Sequence, residues 1–223
     1  MKKNLIVVGD SFCARIGWPQ ELARLLDLNL IVAGFPGQHW WSYRHFLDQT
    51  LEDKDLNNTE VIVFAHTFTE RIPHLDPEIA LCNKFDTNPK TEVGKAVQLY
   101  YKYLENAPYA EWAESKWFEE INEKYSSRFK TVHLHVTHKS WEIRNLLGGM
   151  QVYPNLTALS LGEAGVDDIS FNDKRDNHFS QQNNLILAKQ LSSLITDYTE
   201  TERTLDVDQF GLKTKKWIGK DLF

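Results

Sequence analysis

Two cysteines, Cys13 and Cys82, are all that a chain of 223 residues carries. No framework spacing relates them, so they read as free thiols in a reducing compartment, not as part of a disulfide-stapled secreted scaffold. Long apolar runs are missing too. The amino-terminal run Leu5-Ile6-Val7-Val8 stops at Gly9, short of the roughly 7–15 apolar residues at the centre of a secretion signal. No stretch approaches the ~18 apolar residues needed to cross a bilayer. Positive charge is in deficit: 25 Lys and Arg against 31 Asp and Glu give a formal charge of -6. That balance argues against nucleic acid or an anionic membrane as partner, because both demand a basic face. The compact basic run, Lys213 to Trp217, reads as solvated surface. Repeats and low-complexity tracts are absent. The expectation is a cytoplasmic globular protein with room for one sizeable core.

What is present is an alternation. Short runs rich in β-branched residues (Leu5–Val8, Leu30–Ala33, Val61–Ala65 and Thr131–Val136) are separated by segments of helical period. In WPQELARLLDL the residues Leu22, Leu25 and Leu26 share a face, and in AEWAESKWFEEINEKY so do Trp117, Phe118 and Ile121. Strands alternating with helices predict βαβ units, and so an α/β fold with a parallel sheet of about five strands covered on both sides. Residues 1–199 read as one domain. Within it, about 71–109 reads as a proline-bearing insertion with one helix around Val93–Leu104, and 137–175 as loop. The run SQQNNLILAKQLSSLI predicts the last helix, capped by Ser180, with Leu187, Leu191, Leu194 and Ile195 on its inner face. Residues 200–223 have no clear period and read as a C-terminal extension.

Doubly wound sheets bind ligands at the carboxyl ends of their strands. That rule collects Gly9-Asp10-Ser11 after the first strand, Gly34 and Gly37 after the second, HTFTER (66–71) after the third, and Asp173, Asp176 and His178 before the last helix. A serine alcohol is a weak nucleophile until a base takes its proton, and His178 can supply that base. A carboxylate then has to hold the imidazole, and backbone N–H groups have to face the developing oxyanion. Ser11 and Gly37 are the natural backbone donors. Asp10 reads as a structural carboxylate that binds loop N–H groups. Trp40 and Trp41 read as a substrate wall for a sugar or acyl chain, with core packing for at least one of them.

These blocks resemble the SGNH, or GDSL, hydrolases, in the order Gly9-Asp10-Ser11, Gly37, and Asp176/His178 ahead of the final helix. The resemblance spans residues 9 to 178. It implies a flavodoxin-like three-layer α/β/α sandwich that cleaves esters or removes acyl groups with no cofactor and no metal. It further implies Ser11 as nucleophile, His178 as base, Asp176 as the acid that orients it, and an oxyanion hole with a third, side-chain donor. Where the family carries Asn in its third block, this chain has Thr67, with Thr69 as an alternative. The family's last block is Asp-x-x-His; here Asp176 stands two before His178, which leaves Asp173 as a second candidate acid. The substrate expected is a small-molecule or carbohydrate ester, such as an O-acetyl group.

Two other readings stay open. One is a non-catalytic ligand-binding protein on the same fold, motivated by the absent Asn and the shifted Asp. The other is a metal-dependent hydrolase built on His133, His135 and His138, whose spacing is similar to a metallo-β-lactamase-type site but with Thr137 where that site has an aspartate. Against the metal stands the plainer possibility of half-buried histidines with backbone partners.

Overall fold

The sheet is built on the four apolar runs: the first, third and fourth become interior strands and the second becomes an edge strand. The computed structural model describes residues 2–13, 17–32, 34, 37–67, 71–74, 90–136, 147–161 and 179–211. In chain order the strands are β1 (Asn4–Val8), β2 (Asn29–Val32), β3 (Thr59–His66), β4 (Lys130–His135), β5 (Met150–Tyr153) and β6 (Glu202–Thr204). They lie in the order β2-β1-β3-β4-β5-β6, and every neighbouring pair is parallel. This is the doubly wound order, with its switch point between β1 and β3.

Alternation along each strand sorts the core into two layers. Leu5, Val7, Val61, Val63 and Leu134 point to one side, where they pack with Trp18 and Leu22 of α1 (Trp18–Leu25) and with Leu187 and Leu191 of the long C-terminal helix. Ile6, Val8, Ile62 and Phe64 point to the other. There they meet Tyr43 of α2 (Trp40–His45) and Trp117, Phe118 and Ile121. A short α3 (Asp53–Asn57) leads into β3. The helix expected over 93–104 is α4 (Glu92–Leu99), which continues as a π-turn over Tyr100–Leu104; α5 (Ala107–Ile121) follows. After β5 come α6 (Leu156–Leu161) and then α7 (Gln181–Thr196). The Ser180 side chain caps α7 by accepting from the Asn183 N–H at 3.2 Å, as its sequence predicts. Among the described residues no helix is long and apolar enough to cross a membrane.

The sheet has six strands where about five were expected. The extra pairing comes from Glu-Arg-Thr at 202–204, a three-residue edge strand with no apolar signal of its own. Beyond it, Leu205 and Phe210 sit in the same core as α7. β5 also falls inside a stretch that reads as loop. Four residues between Gly149 and Pro154 are too few to display a period, and one of them, Gln151, is polar.

Candidate active site

β1 ends in a tight turn. The Cys13 N–H donates to the Asp10 carbonyl at 3.0 Å, and the Phe12 N–H donates to Asp10 Oδ1 at 3.0 Å. Ser11 and Phe12 are therefore the two central residues, and Ser11 is half-buried at the carboxyl edge of the sheet. The turn is held at close quarters by the loop after β2. A Cβ on Gly34 would stand 2.8 Å from Cys13 Cβ and 3.0 Å from the Asp10 carbonyl oxygen, so only glycine lets the two backbones approach so closely.

Asp10 is the hub of this edge. It is fully buried, and its Oδ2 accepts from the Thr67 hydroxyl at 2.9 Å and from Arg71 Nη1 at 2.9 Å. The same Arg71 nitrogen donates to the Gln38 carbonyl at 2.9 Å. One carboxylate and one guanidinium thus join the ends of β1, β2 and β3. A buried carboxylate needs such donors, because desolvation without them costs several kcal/mol. A hydroxyl has one proton to give, and that of Thr67 goes to Asp10.

Gly37 has a φ of 78°, a left-handed conformation that glycine adopts without strain. The next peptide is pinned, since Gln38 also accepts from the Tyr43 hydroxyl at 3.3 Å. His39 caps α2, its Nδ1 accepting the Trp41 N–H at 3.2 Å. Beside this cap lies a cavity of about 440 Å³. Trp40, Trp41 and Arg71 form one wall, and Tyr100, Tyr109 and Ala110 of the α4–α5 segment form another. Trp40 serves both purposes, because its ring also stacks on the buried Trp117 at 6.3 Å. Trp41 lies against His45 at 5.8 Å.

The start of α7 is fastened to the same turn. The Phe12 and Phe179 rings meet edge to face with centroids 5.6 Å apart. Trp18 Nε1 donates to the Phe12 carbonyl at 2.8 Å, and the Trp18 N–H donates to Asn184 Oδ1 at 2.9 Å. The Asn184 amide in turn donates to the Phe179 and Ser180 carbonyls. So the residue after Ser11 touches the residue after His178. His178, Asp176, Asp173, Thr69 and His138 themselves lie outside the described residues.

The strand histidines are fully buried in the layer under α5. His133 and His135 share a face, and register on β3 brings His66 beside them. His66 Nε2 and His133 Nδ1 hydrogen-bond to each other at 2.9 Å, and His135 Nε2 donates to Gln151 Oε1 at 3.0 Å. Burial, reinforced by His135, pushes His133 down to about 3. Burial and the two neighbouring imidazoles hold His66 well below the usual range. His66 and His133 are neutral partners of each other. Among the described residues no group of three His, Cys, Asp or Glu side chains is arranged to hold a metal ion.

Arg71 and Asn184 were not singled out from the sequence. Arg71 closes the HTFTER stretch, and a charge just past a strand's carboxyl end was the available signal. Asn184 offered none, since an amide in the first turn of a helix looks like solvated surface.

The fold and this edge together define a doubly wound α/β protein with a serine on the turn that closes its first strand. No protein-family profile matches the chain, and no curated protein matches it. A solved structure that it resembles is that of a candidate lipolytic protein of the G-D-S-L family from Desulfitobacterium hafniense DCB-2. The two are 10% identical, with a TM-score of 0.43 over 86% of this chain and 99% of that one.

Proposed function

We propose that this chain is an SGNH-like serine esterase that cleaves a small acyl ester, with Ser11 as nucleophile, His178 as base and Asp176 orienting the imidazole. The observation that carries the reading is the packing of Phe12 on Phe179, which joins the immediate chain neighbours of Ser11 and His178. In the reaction Ser11 Oγ bonds the carbonyl carbon and its proton passes to His178. The carbonyl π pair moves to oxygen, facing the Ser11 and Gly37 N–H groups. Collapse breaks the ester bond, and the leaving alkoxide takes the proton from His178. Water then repeats the sequence on the acyl-enzyme. The cavity beside Trp40 and Trp41 would hold the part of the substrate that does not react. Its aromatic faces and nearby Glu105 and Glu111 suit a sugar ring, whose C–H face stacks and whose hydroxyls donate.

A non-catalytic binding role is favoured by one feature. Thr67 gives its proton to Asp10, which leaves two backbone donors where the resembled family has three.

The test is hydrolysis of p-nitrophenyl acetate by the full chain, with Ser11→Ala, His178→Ala, Asp176→Asn and Asp173→Asn, each with and without chelator. Turnover lost in the first two variants and indifferent to chelator is the expected result. Undiminished turnover in Ser11→Ala overturns the nucleophile. Tight binding of an ester without turnover supports the second reading, and loss to chelator alone supports a metal route.

A further inference from the structure

We infer that Arg71 is a positioning residue for Ser11, doing two things at once: it ties the turn that carries Ser11 to the turn that carries Gly37, and it cancels the charge of Asp10 where the reaction builds another negative charge. The inference rests on the serine-esterase reading above.

The problem it answers is set by the chain. Asp10 is the residue before Ser11, and its carboxylate is fully buried. An oxyanion formed at Ser11 would sit close to that charge in a poorly screened place, where like charges repel strongly. Thr67 and the Phe12 N–H stabilise the carboxylate but do not neutralise it. Arg71 does, at 2.9 Å from Oδ2. The effect of both charges is visible at a third group: Asp10 adds to the burial that pushes the Tyr43 hydroxyl up, while Arg71 opposes it.

The second function is geometric. Arg71 Nη1 reaches Asp10 Oδ2 and the Gln38 carbonyl, each at 2.9 Å. These acceptors belong to the turns after β1 and β2, which carry the proposed oxyanion donors of Ser11 and Gly37. Sharing one donor nitrogen sets the distance between the turns. A lysine could neutralise Asp10 but lacks the rigid planar fork. Arg71 also lines the cavity, and its side chain is 14% exposed, so a small cation in solution can reach the space it fills.

The experiment measures kcat and KM for p-nitrophenyl acetate per folded molecule, with the folded fraction taken from circular dichroism. Arg71→Ala should lower kcat by about 10²–10³-fold, comparable to losing one oxyanion donor, with KM within about threefold. Added methylguanidinium should restore part of that loss and leave the wild type unchanged. Asp10→Asn placed in the Arg71→Ala background should raise kcat at least about tenfold, because it removes the uncompensated charge while its amide oxygen still accepts from Phe12. Packing alone would produce neither rescue. Should Arg71→Ala fail to fold, Arg71→Lys carries the test, with an expected loss of about tenfold or more that methylguanidinium does not fully reverse. A kcat within threefold of wild type in the folded variant, or no recovery in the double variant, overturns the inference. A fluorophosphonate that labels wild-type Ser11 separates the two levels. Wild type labelled with Arg71→Ala equally fast defeats the role of Arg71 alone; wild type neither labelled nor active defeats the serine reading and this inference with it.

Discussion

Phe12 and Phe179 meet edge to face, with ring planes at 71° and centroids 5.6 Å apart. Both rings are buried, and they join the first turn of the sheet edge to the entry of the last helix. Truncating either to Ala should destabilise the fold by roughly 3–5 kcal/mol. The double variant should lose less than the sum, by about 0.5–1.5 kcal/mol, the usual worth of an aromatic pair beyond its area. Urea unfolding of the four proteins measures this. Strict additivity would mean that the rings pack independently.

The buried imidazoles make stability depend on pH in a defined direction. His133 is held at about 3 and His66 well below its ordinary value, so below about pH 6.5 the unfolded chain binds protons that the folded chain refuses. Stability contributed by the neutral rings is therefore complete above pH 6.5 and is lost as pH falls toward 3. The slope is at most about 1.4 kcal/mol per pH unit for each ring. His133→Gln should flatten the urea midpoint against pH between 6.5 and 4. A variant curve as steep as wild type would assign the slope to other groups.

Gly34 tests the close approach of the second loop to the turn. Gly34→Ala places a methyl 2.8 Å from Cys13 Cβ. Relieving that overlap should cost about 1–3 kcal/mol and displace the turn carrying Ser11. Thermal unfolding reports the first effect, and esterase rate per folded molecule reports the second. A wild-type melting curve would show that the loop yields freely.

Cys13 should be inert. Burial, with a further contribution from Asp10, pushes its thiol well above the ordinary range, and the reactive species is the thiolate. Iodoacetamide at pH 8 should leave Cys13 unmodified in the native protein and alkylate it in urea, as read by peptide mass. Native alkylation would mean that the turn opens.

The cavity gives a prediction about selectivity. Ala110 of α5 lines it, so Ala110→Phe should fill part of it. KM for bulky esters should rise at least about tenfold, the worth of 1.4 kcal/mol in binding, while p-nitrophenyl acetate turnover stays near wild type. Equal changes for large and small esters would detach the cavity from substrate binding.

The parts legible from sequence are those whose burial is written locally. β1 and β3 run inside the sheet and each shows as an unbroken apolar run, while β4 beside them shows Val132 and Leu134 alternating with buried histidines. Ser180 declares its helix because a cap is a one-turn signal. What stayed hidden depends on register across strands or on distance along the chain. His133 and His135 announce a shared face, but that His66 completes the row follows only from the pairing of β3 with β4. Arg71 and Asp10 lie on different strand ends, and nothing short of the fold brings a loop arginine to a buried carboxylate. Thr67 sits at the expected edge, but where its proton goes is settled by Asp10 and not by its own neighbours.

The Trp18 N–H finds its acceptor in Asn184, 166 positions further on. Translation runs at roughly 5–20 residues per second, so a nascent chain spends on the order of ten to thirty seconds with that amide unanswered. During this interval Phe12 has no Phe179 to lean on, and the turn bearing Ser11 is present without the helix that braces it. The serine edge is thus completed only after the start of α7 has been made, although its first residues are among the earliest to leave the ribosome.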